Sequence, residues 1–267
     1  MKKNKVLKIF AAILAVVLIS GVLLITNAFV GNPVSAKIAQ RAVKNYAREK
    51  YSFLDLELEK PIYNFKDGSY IIWAKSKTST DTKFNINYRD GKVYYDSYEF
   101  DVLHMHNTLR RLEDEYTYIV RQILEDKLGY RDNSARVMYD KDGYESARYK
   151  DILKLDVEFD RSLPLNSGVS LSIKDIEDVS LENISKILAD AHRVFVDNEC
   201  YFREYGLYIG DSDTVVTIGG VTPENIEGGQ LLDLLQQARD HRDDIVFEKN
   251  GDKVDGGNRI TVFIKTK

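Results

Sequence analysis

The chain has 267 residues, 43% hydrophobic and 30% charged, the mixture of an ordinary globular protein with room for two domains. Its single cysteine, Cys200, excludes an internal disulfide and any cysteine-based zinc cluster. Acidic residues outnumber basic ones by 42 to 38, which argues against nucleic-acid binding and against electrostatic adhesion to anionic lipid.

Residues 1–8 form a basic leader: Lys2, Lys3, Lys5 and Lys8 precede an apolar run from Ile9 to Val30. As a helix, those 22 residues rise about 33 Å, close to the roughly 30 Å hydrocarbon core of a bilayer. Residues 9–30 are therefore expected to be a single transmembrane helix, and the lysines before it predict a cytoplasmic N-terminus. The portion beyond then carries 34 basic and 42 acidic residues, a net charge of −8. The run ends in FVGNPVSAKIA, which has two readings. Val34-Ser35-Ala36 satisfies the small-residue rule for signal-peptidase cleavage, whereas Asn32 and Pro33 have the N-cap and first-turn chemistry of a new helix. A signal-peptide apolar core is usually only about 7–15 residues long, so run length favours an uncleaved anchor. The absence of a lipobox cysteine excludes a lipoprotein.

A first α+β domain is expected over residues 31–130. Leu54, Leu56 and Leu58 alternate with acidic residues, and Phe84, Ile86 and Tyr88 alternate with asparagines, the pattern of strands with one face buried. Asp67-Gly68 and Asp90-Gly91 lie between such stretches and signal hairpins, because both residues tolerate positive φ. Met105, Leu109, Leu112, Tyr116, Ile119 and Ile123 then recur at helical spacing, with Gly129 as a stop. Arg131–Ser134 is the expected linker.

A second α+β domain is expected over residues 135–267. Leu153, Leu155, Val157 and Phe159 predict a strand. Ser180 caps a helix whose apolar stripe is Leu181, Ile184, Leu188, Ala191 and Phe195. Tyr205–Ile209 and Val215–Ile218 predict a strand pair, Gln230–His241 a helix, and Val246-Phe247 and Ile260–Ile264 strands around an Asn250-Gly251 turn. Asp142-Gly143 is a further hairpin signal. The fold class is therefore an N-terminal transmembrane helix followed by two α+β domains, with antiparallel sheets packed on helices.

Few residues have the spacing of a chemical site. His104 and His106 flank Met105; on a helix each points about 100° from it, so the pair diverges rather than gripping a metal. Asp140-Lys141-Asp142-Gly143-Tyr144-Glu145 hints at a calcium loop, but its glycine stands at position 4 where an EF-hand needs it at 6. Asp211 and Asp213 fit a polar turn. Gly219-Gly220-Val221-Thr222-Pro223-Glu224 lacks the lysine of a phosphate loop, and Thr222 and Pro223 suit a helix cap. Cys200 fits a buried small hydrophobe and His192 a core-edge residue. No GxSxG, HExxH or SxxK motif is present. The expectation is no catalytic, cofactor-binding or metal-ligating residue.

Gly31-Asn32-Pro33-Val34 directly after a single span, Tyr63-Asn64-Phe65-Lys66 before a hairpin, Tyr94-Tyr95-Asp96, and Asn107-Thr108-Leu109 in a long helix resemble the YfjL-like proteins of Gram-positive bacteria. The likeness is strongest over residues 1–130. It implies a single-pass extracytoplasmic protein and assigns no activity or site residues. The helix-and-meander layout also resembles PepSY-like and cystatin-like modules in topology. Together these features predict a non-enzymatic binding or regulatory module at the cell envelope, partnered with the membrane and with another envelope protein. The alternatives are an inhibitor or regulator of an extracytoplasmic protease, and an enzyme using Cys200, His192 or the Asp211/Asp213 pair.

Overall fold

A computed structural model describes residues 2–139, 149, 152–174, 176–210, 213–240 and 260–266. The Asp140–Glu145 segment, the Asn250-Gly251 turn and the Val246-Phe247 stretch lie outside the described residues. Helix makes up 45% and strand 26%, with sheets packed against helices, so the fold is α+β. The chain forms two compact units: unit 1 is Met1–Thr108 with Leu153–Asp156, and unit 2 is Leu109–Ile152 with Val157–Lys267.

Unit 1 begins with α1 (Lys2–Val30), in which Lys8–Asn27 is long and apolar enough to cross a membrane. Helix α1 stops at Gly31, whose φ of 69° is open to glycine at little steric cost. Asn32 then caps α2 (Pro33–Lys50): its Oδ1 accepts from the Ser35 N–H at 2.8 Å, and Pro33 occupies the first helical position. The Val34-Ser35-Ala36 triplet therefore lies in the first turn of a capped helix. A Cβ on Gly31 would lie 2.8 Å from both Tyr63 Cγ and Tyr70 Oη, and Tyr70 Oη accepts from the Asn32 N–H at 3.2 Å. Only a glycine lets the junction sit this close to those rings.

Strands β1 (Leu56–Leu58), β2 (Ile62–Asn64), β3 (Ser69–Ser76), β4 (Lys83–Arg89) and β5 (Lys92–Asp96) form an antiparallel sheet ordered β1-β3-β4-β5. β2 pairs with β3 further along the same strand that β1 pairs with, through Ile62↔Ile71 against Leu58↔Ala74. Both predicted hairpins form. Asp90 and Gly91 have φ of 51° and 84°, the positive pair that a two-residue turn between twisted strands requires. Period-2 alternation puts Tyr70, Ile72, Ala74, Phe84, Ile86 and Tyr88 on one face. Against them lie Ala39, Val43, Ala47 and Tyr51, spaced by four so that one helix stripe meets the sheet. Each fully buried side chain of the size of Ile72 or Ile86 contributes roughly 1.5–3 kcal/mol.

After β5 a π-helical turn (Glu99–Leu103) leads to Met105, with φ of 59°, and then α3 (His106–Leu128). The predicted helical stripe thus starts one residue too early, since Met105 lies in the bend rather than in the helix. The Leu153–Phe159 alternation does not make a strand. Asp156 takes a φ of 59°, which breaks an extended run. Leu155 packs on the unit 1 core, and Asp156 and Asp81 exchange hydrogen bonds, Asp81 N–H to Asp156 Oδ1 at 2.9 Å and Asp156 N–H to Asp81 Oδ2 at 2.8 Å.

Unit 2 contains β6 (Arg136–Tyr139), β7 (Ser167–Ser172), α4 (Leu181–Asp197), β8 (Glu204–Gly210), β9 (Thr214–Val221), α5 (Pro223–Glu227), α6 (Leu231–Asp240) and β10 (Thr261–Thr266). The sheet order is β10-β9-β8-β7-β6. All pairs are antiparallel except β7–β8, which needs α4 as its crossover. Ser180 caps α4 as predicted, accepting from the Asn183 N–H at 3.3 Å. The residue stretch Arg131–Ser134, expected as a linker, lies within unit 2, where Asn133 bridges to Ile173.

Candidate functional site

Tyr46, Lys50 and Tyr51 stand at i, i+4 and i+5 near the end of α2, so all three lean toward one side of the helix. β5 ends on that side at Asp96, whose carboxylate is only 8% exposed. Four donors converge on it. The Tyr46 hydroxyl and Lys50 Nζ (2.8 Å) reach Oδ2, while the Tyr51 hydroxyl (2.8 Å) and the Tyr98 backbone N–H (3.1 Å) reach Oδ1. Lys50 Nζ also donates to the Tyr46 oxygen at 2.8 Å and stands 5.2 Å from the Tyr51 ring centroid. Beneath, Tyr51, Phe84 and Tyr98 pack with ring centroids 4.8–5.0 Å apart. Phe53, Tyr94 and Tyr95 stand largely exposed around a cleft of about 680 Å³ above the carboxylate.

The electrostatics identify this cluster as a clamp rather than an acid–base pair. Burial pushes the Asp96 carboxyl up, but the donors from Lys50, Tyr46, Tyr51 and the Tyr98 backbone outweigh it and hold the group below the usual carboxylate range. Hydrogen bonding to Asp96 raises the Lys50 ammonium, while burial and then Asp96 raise both tyrosine hydroxyls. Each group is thus held in its ordinary charge state, and the carboxylate's lone pairs are occupied. A general base needs a pKa near the working pH and a free lone pair, and Asp96 offers neither. The cleft offers apolar ring faces and a few polar tips, which suits noncovalent recognition.

The residues singled out from sequence lie apart. His104 faces Glu99 at 3.9 Å, and His106 packs on the Phe100 ring with centroids 4.4 Å apart. Asp211 lies outside the described residues, as does Asp140–Glu145, while Asp213 precedes β9. Thr222 caps α5 through a reciprocal box with Asn225, and Pro223 takes the first position, as predicted. His192 bridges Tyr205 Oη (2.8 Å, to Nδ1) and Glu227 Oε1 (3.1 Å, to Nε2). A carboxylate only accepts, so Nε2 donates to Glu227, and in the neutral ring Nδ1 then accepts from the tyrosine. Cys200 is fully buried, and that burial pushes its thiol up, away from the reactive thiolate. No hydrogen bond joins Cys200 to His192 among the described residues, nor does any group of three His, Cys, Asp or Glu side chains there converge on a metal position. The Asp96 cluster was not singled out from sequence. Its sequence traces are the Tyr-x₃-Lys-Tyr spacing and the Tyr94-Tyr95-Asp96 motif of the family likeness, and nothing in the sequence joins the two, which lie 45–50 residues apart.

A helix of membrane-crossing length, joined through a capped bend to an α+β unit and followed by a second α+β unit, defines a class of helix-led two-unit proteins. Within it, this chain belongs to the YfjL-like family: the model of the YfjL-like N-terminal domain matches residues 6–97 and that of the YfjL-like C-terminal domain matches residues 115–236. The match covers the second unit as well, further than the resemblance over residues 1–130. No curated protein and no solved structure matches the chain.

Proposed function

We propose that the chain is a membrane-tethered binding or regulatory module of the cell envelope, acting without catalysis. In this reading α1 spans the membrane with the lysine leader inside, both units lie outside, and the tyrosine cleft of unit 1 receives another envelope protein. The observation that carries the reading is the Gly31–Pro33 junction, which packs the apolar helix against Tyr63 and Tyr70 of the same unit that holds the cleft. Cleavage after Ala36 would remove the α2 cap and its whole first turn. Lys2, Lys3, Lys5 and Lys8 favour the orientation, yet Lys37, Arg41, Lys44 and Arg48 follow the span within about 20 residues, so orientation has to be read directly.

The test expresses the full chain in its host with a C-terminal epitope and a photo-crosslinking amino acid at Tyr95. The expected result is a full-length, carbonate-resistant membrane protein, degraded by protease added to intact cells, that yields a discrete crosslinked adduct on illumination. A soluble product beginning at Lys37, or protection from external protease, overturns the tether or its orientation. An intact tethered chain without a reproducible adduct overturns the cleft as the binding face.

A further inference from the structure

On the other side of α2 from the tyrosine cleft runs a second groove, about 970 Å³, between α2 and β1. Its geometry follows from strand pairing. β1 is an edge strand, paired with β3 alone. The Lys77 N–H bonds Asp55 O at 3.0 Å and the Glu59 N–H bonds Trp73 O at 2.8 Å. In an antiparallel ladder the bonding direction alternates, so Asp55, Glu57 and Glu59 turn their backbone groups to β3. Leu56 and Leu58 therefore point an N–H and a C=O each away from β3, along the free edge, and none of these has a partner among the described residues. Their side chains pack on the unit 1 core together with Leu54.

The wall above this edge is positive. Lys37, Arg41, Lys44 and Arg48 recur at i, i+4, i+7 and i+11, one face of α2, and all line the groove. None has a carboxylate partner among the described residues; the Arg48 guanidinium bonds only the Asn45 amide, at 3.0 Å. Asp55 and Glu57 also border the groove, but along the strand their side chains alternate with Leu56 and Leu58, which face the core beneath α2. Asp55 is paired there with Lys77 at 2.8 Å. A row of four unpaired cations on a chain of net charge −4 is a local reversal of sign.

We propose that the groove between α2 and β1 binds an extended acidic peptide segment, which adds as a strand to the free edge of β1 beneath the basic face of α2. Strand addition supplies main-chain hydrogen bonds through Leu56 and Leu58, and alternate side chains of the added strand face α2. Carboxylates at those positions meet the four cations. A compact anion would use the cations but leave the edge donors unmet, so the two features together select a peptide.

The test uses the purified full chain in detergent micelles and a fluorescein-labelled ten-residue peptide alternating glutamate and valine, read by anisotropy. Saturable binding is expected, weakening at least tenfold between 50 and 300 mM salt by screening. The Arg41→Glu/Lys44→Glu variant is expected to lose tenfold or more, with an unchanged Trp73 fluorescence spectrum confirming the fold. Two peptides N-methylated at alternate amides, on one edge or the other, separate the modes: one should lose binding and the other stay within about twofold. Equal binding of both N-methylated peptides, displacement by inorganic polyphosphate at matched charge, or a preference for anionic vesicles over the peptide overturns strand addition. No peptide binding at 50 mM salt overturns the proposal outright and leaves the tyrosine cleft untouched.

Discussion

Asp96 is the residue whose surroundings carry the clearest energetic statement. Its carboxylate is nearly buried and accepts from four donors, and hydrogen bonds to a charged group are worth roughly 1.5–3 kcal/mol each before coupling. Asp96→Asn keeps the shape and removes the charge, and is expected to lower unit 1 stability by about 2–3 kcal/mol. Lys50→Met should cost under about 1 kcal/mol, because the ammonium is half exposed and water screens the pair. Trp73, the only tryptophan, lies on β3 of unit 1, so its fluorescence reports that unit alone in a urea titration. The pH dependence has a definite sign. In the unfolded chain an aspartate titrates near 3.9, whereas in the fold Asp96 titrates lower. Its stabilisation is therefore complete above about pH 5 and disappears as pH falls through the depressed folded value. Asp96→Asn should flatten the Trp73-detected stability profile between about pH 5 and pH 3. A wild-type slope that survives the substitution would show that other carboxylates set it.

Among the elements, the bend between α1 and α2 is the most exacting. Ala at Gly31 meets two tyrosines at 2.8 Å and must adopt a φ of 69°, a combination costing roughly 1–3 kcal/mol. Asn32→Ala loses the cap alone, about 1 kcal/mol. Both variants should speed protease cutting at residues 31–36 of the detergent-purified chain, Gly31→Ala more than Asn32→Ala, mapped by mass spectrometry; rates equal to wild type would show that packing does not hold the bend. Elements such as this were legible because local chemistry fixes them. Asn-Pro starts α2, Ser180 starts α4, Thr222-Pro223 starts α5, and Asp-Gly pairs turn two hairpins. β6 and β7 were missed, since RVMY is only four residues long and SGVSLS is mostly serine and glycine. The alternation from Leu153 to Phe159 misled for the opposite reason: period 2 reports two-sidedness, and here the apolar positions are divided between two units instead of two faces. The Asp96 cluster and the α2–β1 groove stayed hidden because each joins side chains or backbone edges that only tertiary packing assembles. A count of net charge over the chain also averages away the cationic stripe of α2.

For the whole molecule, the family match and the α+β fold agree with the sequence reading, while the partition of the chain follows packing that spacing does not reveal. Unit 1 includes Leu153–Asp156, supplied from far along the chain. Leu155 is part of its apolar shell, and Asp81, 2% exposed, exchanges its hydrogen bonds with Asp156. Leu155→Ala in the full chain is expected to shift the Trp73-detected transition by about 1–2 kcal/mol, a partial-burial version of a core truncation; no shift would show that unit 1 is complete without the returning segment. The same return has a consequence for how the protein is made. Synthesis delivers the first hundred residues to the far side of the ribosome well before residue 156 emerges, at roughly 5–20 residues per second. Until then the place of Leu155 stays open and Asp81 lacks its counterpart, so the leading unit must wait several seconds, unfinished, for a latch that is translated long after it.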